Sequence, residues 1–177
     1  VDCRSMTEPL TLTQVNALKR EEFIAQFGDI AEHSSWVAEC AVSARPFLSH
    51  DSLVDAFQQS VLTAPQSSQD ALILAHPDLA GRAAKAGDLA EESRREQKGA
   101  GLDRLTEDEF KRFHQLNDLY RARFGFPFIF AVSGATKFQI LESFEMRVGG
   151  TKSEERLTAL AQVLRIIRFR LETRVKG

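Results

Sequence analysis

The chain has 177 residues, 43% hydrophobic and 27% charged, the balance of one ordinary soluble domain with a sizeable core. A net charge of −2 and a pI near 6.1 exclude bulk electrostatic attraction to nucleic acid or an anionic membrane. Cys3 and Cys40 have no metal or disulfide spacing, which fits a reducing compartment, and no apolar run is long enough to span a membrane.

Residues 1–11 are polar and expected to be flexible, without the apolar centre of a signal peptide. Asn16 is expected to cap a helix over ALKREEFIAQF, with Gly28 as its stop. IAEHSSWVAECAVSA reads as a second helix, with Trp36, Val37 and Cys40 at helical spacing, ending before Pro46. His33 within it is read as a surface or packing histidine. Asp51 or Ser52 is expected to cap SLVDAFQQSVLTA, which Pro65 and the SSQ after it break. DALILA then forms a short apolar helix that delivers His76. Pro77 restricts His76 to extended backbone, so this histidine sits at a helix exit. Such a position suits a cleft, and equally suits a helix C-terminus that favours a cation.

A loop with Gly81 and Gly87 leads to a polar helix carrying SRREQ. There Ser93, Glu96 and Gln97 stand at i, i+3 and i+4, so a hydroxyl, a carboxylate and an amide share one face. With His76 nearby in sequence, the cluster has the groups of an acid–base site. Thr106 and Glu109 form a capping-box signature for EDEFKRFHQLNDLYRARF, whose inward stripe is Phe110, Phe113, Leu116, Leu119 and Tyr120. Gly125 stops it. FPFIFAV follows and reads as extended, buried backbone, whose N–H and C=O groups need another segment or a polar ligand. KFQILESFEMR is a further amphipathic helix ended by Gly149 and Gly150. Thr151 with Glu154 starts the last helix, with Leu157, Leu160, Leu164, Ile167 and Leu171 inward and Arg165, Arg168, Arg170 and Arg174 beside them. The fold class is all-α, a single-domain bundle of about seven or eight helices with one extended apolar segment.

HPDLAGR at 76–82, the ESxxEQxxAGL pattern of Glu92–Leu102, LNxxYxxRFGFPF of Leu116–Phe128 and RPF at Arg45–Phe47 together resemble the 2-oxo-4-hydroxy-4-carboxy-5-ureidoimidazoline (OHCU) decarboxylase family. The resemblance covers residues 12–174. It implies an all-α enzyme that uses no cofactor and no metal and is often a homodimer. Its substrate would be a small ureidoimidazoline, with (S)-allantoin as product, the last step from urate. It places the catalytic pair on His76 and Glu96. It places substrate contacts on Pro77, Ser93, Gln97, on Phe128, Ile129, Phe130, Ala131 and Val132, and on Arg170, with Arg168 close by as the competing match. The RVKG end is no peroxisomal address, which fits a cytoplasmic member. The alternatives are a non-catalytic helical binding module, which loss of His76 or Glu96 would favour, and a related lyase acting on another ureide.

Overall fold

The computed structural model describes residues 8–81 and 89–177, so Cys3, Arg82 and Gly87 lie outside the described residues. Nine α-helices are found among the described residues: α1 Leu12–Ala17, α2 Arg20–Phe27, α3 Trp36–Ala41, α4 His50–Leu62, α5 Gln66–Ala75, α6 Glu91–Gly99, α7 Glu107–Phe124, α8 Lys137–Arg147 and α9 Lys152–Arg174. One parallel bridge, Leu10 with Val175, is the only extended pairing among them. None of the described helices is long and apolar enough to cross a membrane. The described residues group into two compact units, 8–65 with 167–177, and 66–81 with 89–166.

In the first unit the core is aromatic. Phe23, Phe27 and Phe57 are fully buried and pack with ring centroids between 4.9 and 6.3 Å apart. Three expectations change here. Asn16 is not a cap, because Thr11 and Gln14 form the capping box of α1. The Asn16 amide instead brackets Phe47, donating to its carbonyl at 2.9 Å and accepting its N–H at 2.8 Å. The second helix is shorter than its periodicity, since residues 30–35 turn and His33 takes a φ of +47°. Cys40 is consequently exposed and Trp36 only half-buried. Ser49, not Asp51 or Ser52, caps α4, with Ser52 returning the bond to the Ser49 N–H at 3.0 Å.

In the second unit α5 is longer than DALILA alone. Pro65 does separate α4, which ends at Leu62, from α5, while the SSQ residues after it already belong to α5, which starts at Gln66. α7 and α8 have the expected ends, each set by a threonine capping box, and Gly125 closes α7 at φ +83°. Leu119 and Leu157, expected inward, are more than half exposed. FPFIFAV is extended and unpaired with any described strand, as a buried segment supported by helices.

Candidate active site

His76 follows α5 directly, and its environment comes from that helix. Leu72 and Ile73 are buried and seat the last turn, and the His76 N–H donates to the Ile73 carbonyl at 3.2 Å. The imidazole Nδ1 lies 2.8 Å from the Leu72 carbonyl oxygen. A carbonyl only accepts, so Nδ1 carries the proton in this contact and Nε2 is the basic nitrogen of the neutral ring. The side chain is 6% exposed. Proline at 77 keeps the chain from continuing the helix, as the sequence requires.

The loop after His76 is fixed by three side chains from two helices. Asp78 accepts the Arg121 Nε at 2.9 and 3.2 Å, and Asn117 donates to the Leu79 carbonyl at 2.9 Å. Asn117 and Arg121 are four residues apart, hence on one face of α7. The Ala80 N–H donates to the Gln97 Oε1 at 3.0 Å. Ala80 has a φ of +50°, a conformation that costs a side-chain-bearing residue about 1–2 kcal/mol and persists only where neighbours impose it. Gly81 is required next, since a Cβ there would stand 2.8 Å from the Asp78 Cβ.

Gln97 thereby joins the SRREQ helix to the loop opened by His76. Because its Oε1 takes the Ala80 N–H, the amide has one orientation, and its buried Nε2 meets no protein acceptor among the described residues. A buried donor left unpaired costs about 1–3 kcal/mol, so an oxygen of a bound molecule is its natural partner. Ser93, one turn earlier, is buried on the same face, and Glu96 is half-buried. This double use of Gln97 dictates the informative substitution. Gln97→Ala would orphan the strained Ala80 N–H as well, whereas Gln97→Glu keeps that acceptor and puts a carboxylate oxygen, which repels a substrate oxygen, where the NH2 donor stood. Gln97→Glu should raise KM at least tenfold, measured at a temperature where circular dichroism shows the native fold, through a lost hydrogen bond and a new repulsion. Steady-state kinetics showing unchanged KM would remove Gln97 Nε2 from the substrate site.

FPFIFAV satisfies part of its backbone through side chains of α8 and α9. Arg147 Nη1 donates to the Ile129 carbonyl at 2.8 Å, and the Ala131 N–H donates to Gln162 Oε1 at 2.9 Å. Arg147 also lies over the Phe128 ring, 4.4 Å from its centroid, while that ring stacks on Phe144 at 3.8 Å and 11°. Behind it, Arg147 Nε donates to Glu155 at 3.0 Å, and the Tyr120 hydroxyl donates to the same carboxylate oxygen. Burial, then the bond to Glu155, pushes the Tyr120 phenol well above its usual range, so it remains a donor. Sequence reasoning missed Arg147 and Glu155. The signal was there in the period: Ile140, Phe144 and Arg147 share a face, as do Glu155, Ala159 and Val163, all buried.

Arg170 belongs to the first unit. Its Nη1 bonds Glu32 Oε2 at 3.0 Å and the Ile30 carbonyl at 3.2 Å, with both side chains 2% exposed. Arg168 is the surface one of the pair, reaching Asp51 at 3.2 Å and Glu172 at 3.6 Å. Among the described residues, no group of three or more His, Cys, Asp or Glu could hold a metal ion.

Comparison with known proteins is consistent in direction. Residues 16–172 match the protein family described as OHCU decarboxylase. The chain is 43% identical over 165 residues to the 2-oxo-4-hydroxy-4-carboxy-5-ureidoimidazoline decarboxylase of Haloferax volcanii, covering 93% of this chain and 96% of that one. It is 36% identical over 162 residues to the Mus musculus protein of the same name, covering 92% and 91%. A crystal structure of (S)-allantoin synthase superposes with a TM-score of 0.77 at 31% identity, covering 95% of this chain and 54% of that longer one.

Proposed function

The chain belongs to the OHCU decarboxylase family, and from this premise we propose that it converts 2-oxo-4-hydroxy-4-carboxy-5-ureidoimidazoline to (S)-allantoin and carbon dioxide. The observation that carries the reading is the single amide of Gln97, which braces the His76 loop and offers a buried, unpaired donor beside it. In this substrate the ring carbon that loses the carboxylate also bears a hydroxyl and neighbours a C=N bond. The C–C electron pair forms a new C=C bond as CO2 leaves, and the C=N π pair moves to nitrogen, which takes up a proton. The hydroxyl then loses its proton, its carbon becomes a carbonyl, and the adjacent carbon is protonated as the new stereocentre. The substrate supplies its own electron sink, so the protein's task is orientation and proton transfer.

His76 Nε2 suits removal of the hydroxyl proton, because the Leu72 carbonyl holds the other nitrogen in its protonated form. Glu96, half-buried on the same helix as Gln97, orients the imidazolium or manages the proton delivered to the stereocentre. Ser93, Gln97 and the 128–132 segment hold the ring and ureido group, and Pro77 sets the approach to His76. Residues 12–174 act as one catalytic domain of this kind. Homodimerisation belongs to the same reading through the family resemblance alone, and a single copy by light scattering at working concentration would remove that element. A reducing compartment such as the cytoplasm is part of this reading, in keeping with cysteines that have neither disulfide nor metal spacing.

Stoichiometric release of CO2 from freshly generated OHCU, faster with enzyme than without, is the expected result, and equal rates would end the proposal. Activity should survive exhaustive chelation and dialysis. Loss to chelator with recovery on adding a divalent metal would show that carboxylates supply a site the reading does not contain.

A further inference from the structure

Within the second unit, Arg147 meets the extended segment at two points, the Ile129 carbonyl and the Phe128 ring. Its side chain is 9% exposed and that of Glu155 is 6% exposed, so the ion pair is buried on both sides. A buried pair of this kind is weak evidence for stability, since apolar residues often do as well. What it fixes here is backbone. The 128–132 segment has no described strand beside it to set its register, so the directions of its N–H and C=O groups come from side chains.

The peptide plane makes this quantitative. The only cis peptide among the described residues is Arg45–Pro46, so the Ile129–Phe130 and Phe130–Ala131 bonds are trans. In a trans peptide the C=O and the following N–H point in opposite directions. Arg147 on the Ile129 carbonyl therefore turns the Phe130 N–H away from α8. Gln162 on the Ala131 N–H likewise turns the Phe130 carbonyl away from α9. The guanidinium also covers Phe128, whose ring stacks on Phe144, meets the edge of Tyr120 and lies 6.2 Å from the Phe130 ring.

We infer that Arg147 is a positioning residue for the substrate: held by Glu155 and Tyr120, it binds the Ile129 carbonyl, covers Phe128 and so aims the Phe130 N–H at the bound ureidoimidazoline. This rests on the reading that residues 128–132 line the substrate site. Arg147 touches no reacting atom and acts through the peptide plane. Gln162 performs the complementary task for the Phe130 carbonyl. The side-chain chemistry required is specific: a guanidinium can serve Glu155 and the Ile129 carbonyl at once through separate nitrogens, and lysine has a single nitrogen for both.

The test compares wild type with Arg147→Lys, Arg147→Gln and Tyr120→Phe, each at a temperature where circular dichroism shows the native fold. KM for OHCU should rise at least tenfold in both Arg147 variants and about threefold in Tyr120→Phe, with kcat changed less than threefold throughout. The Phe130 backbone amide, followed by 15N-edited NMR, should shift between unliganded wild type and each variant. Its further shift on saturation with (S)-allantoin should shrink in parallel with the loss in KM. An unchanged KM, or a fall in kcat at constant KM, overturns the inference. Should both Arg147 variants fail to fold, Tyr120→Phe decides by the same criteria. If wild type itself does not turn over OHCU, the functional reading fails first. The unliganded Phe130 amide then judges the geometry alone, and an amide indifferent to Arg147 overturns it.

Discussion

His76→Ala should lower kcat by about 10²–10⁴-fold, the usual contribution of a positioned general acid–base group. The histidine is buried, sits at a helix exit, and is held through Nδ1 by the Leu72 carbonyl, which leaves Nε2 as its base. His76→Gln, which keeps bulk and polarity without a nitrogen base, should be as poor a catalyst. Both variants should retain the far-ultraviolet circular dichroism of the wild type, because Leu72, Ile73 and the three anchors of the loop remain. Turnover within threefold of wild type in either folded variant would take His76 out of the chemistry.

Glu32→Ala should destabilise the protein by about 3–5 kcal/mol, the usual effect of breaking one partner from a buried ion pair. It would leave the Arg170 guanidinium, at 2% exposure, without the carboxylate that now lies 3.0 Å from it. For a chain of this size that corresponds to a Tm lower by roughly 6–20 °C. Arg168→Ala is the matched control. That arginine makes only partly exposed pairs, which contribute about 0–1 kcal/mol, and Tm should move by no more than about 2–4 °C. Calorimetry showing equal losses in the two variants would contradict the buried character of the Arg170 pair.

Periodicity and capping chemistry were sufficient for α7 and α9, where a threonine and an acid three residues on mark the start, and periodicity alone for α8. They failed where a side chain serves distant backbone. Asn16 looked like a cap because asparagine usually is one, but its partner is Phe47, thirty-one residues away. Glu32 looked like an ordinary helix residue, and its partner is Arg170. Leu119 and Leu157 match a helical stripe by spacing yet face outward, because a stripe read at 3.6 residues leaves its edges undefined.

The candidate site follows the same division. Pro77 made the exit position of His76 legible, and the i, i+4 spacing of Ser93 and Gln97 correctly placed both on one buried face. That Gln97 also supports a strained Ala80 was beyond local reasoning, because nothing near alanine 80 announces a positive φ. For FPFIFAV the sequence posed the right question about its unsatisfied backbone. Part of the answer was a guanidinium and an amide on helices downstream, which no strand pattern could indicate.

The chirality of allantoin at early times tests the central claim most directly. OHCU generated in place and mixed with the enzyme should give allantoin whose circular dichroism, read before spontaneous racemisation, is that of the pure (S) enantiomer. A difference of about 1.4 kcal/mol between protonation of the two faces already gives tenfold selectivity, and a site fixed as this one is should exceed it. Rapid formation of racemic allantoin would contradict protonation from one side by this site.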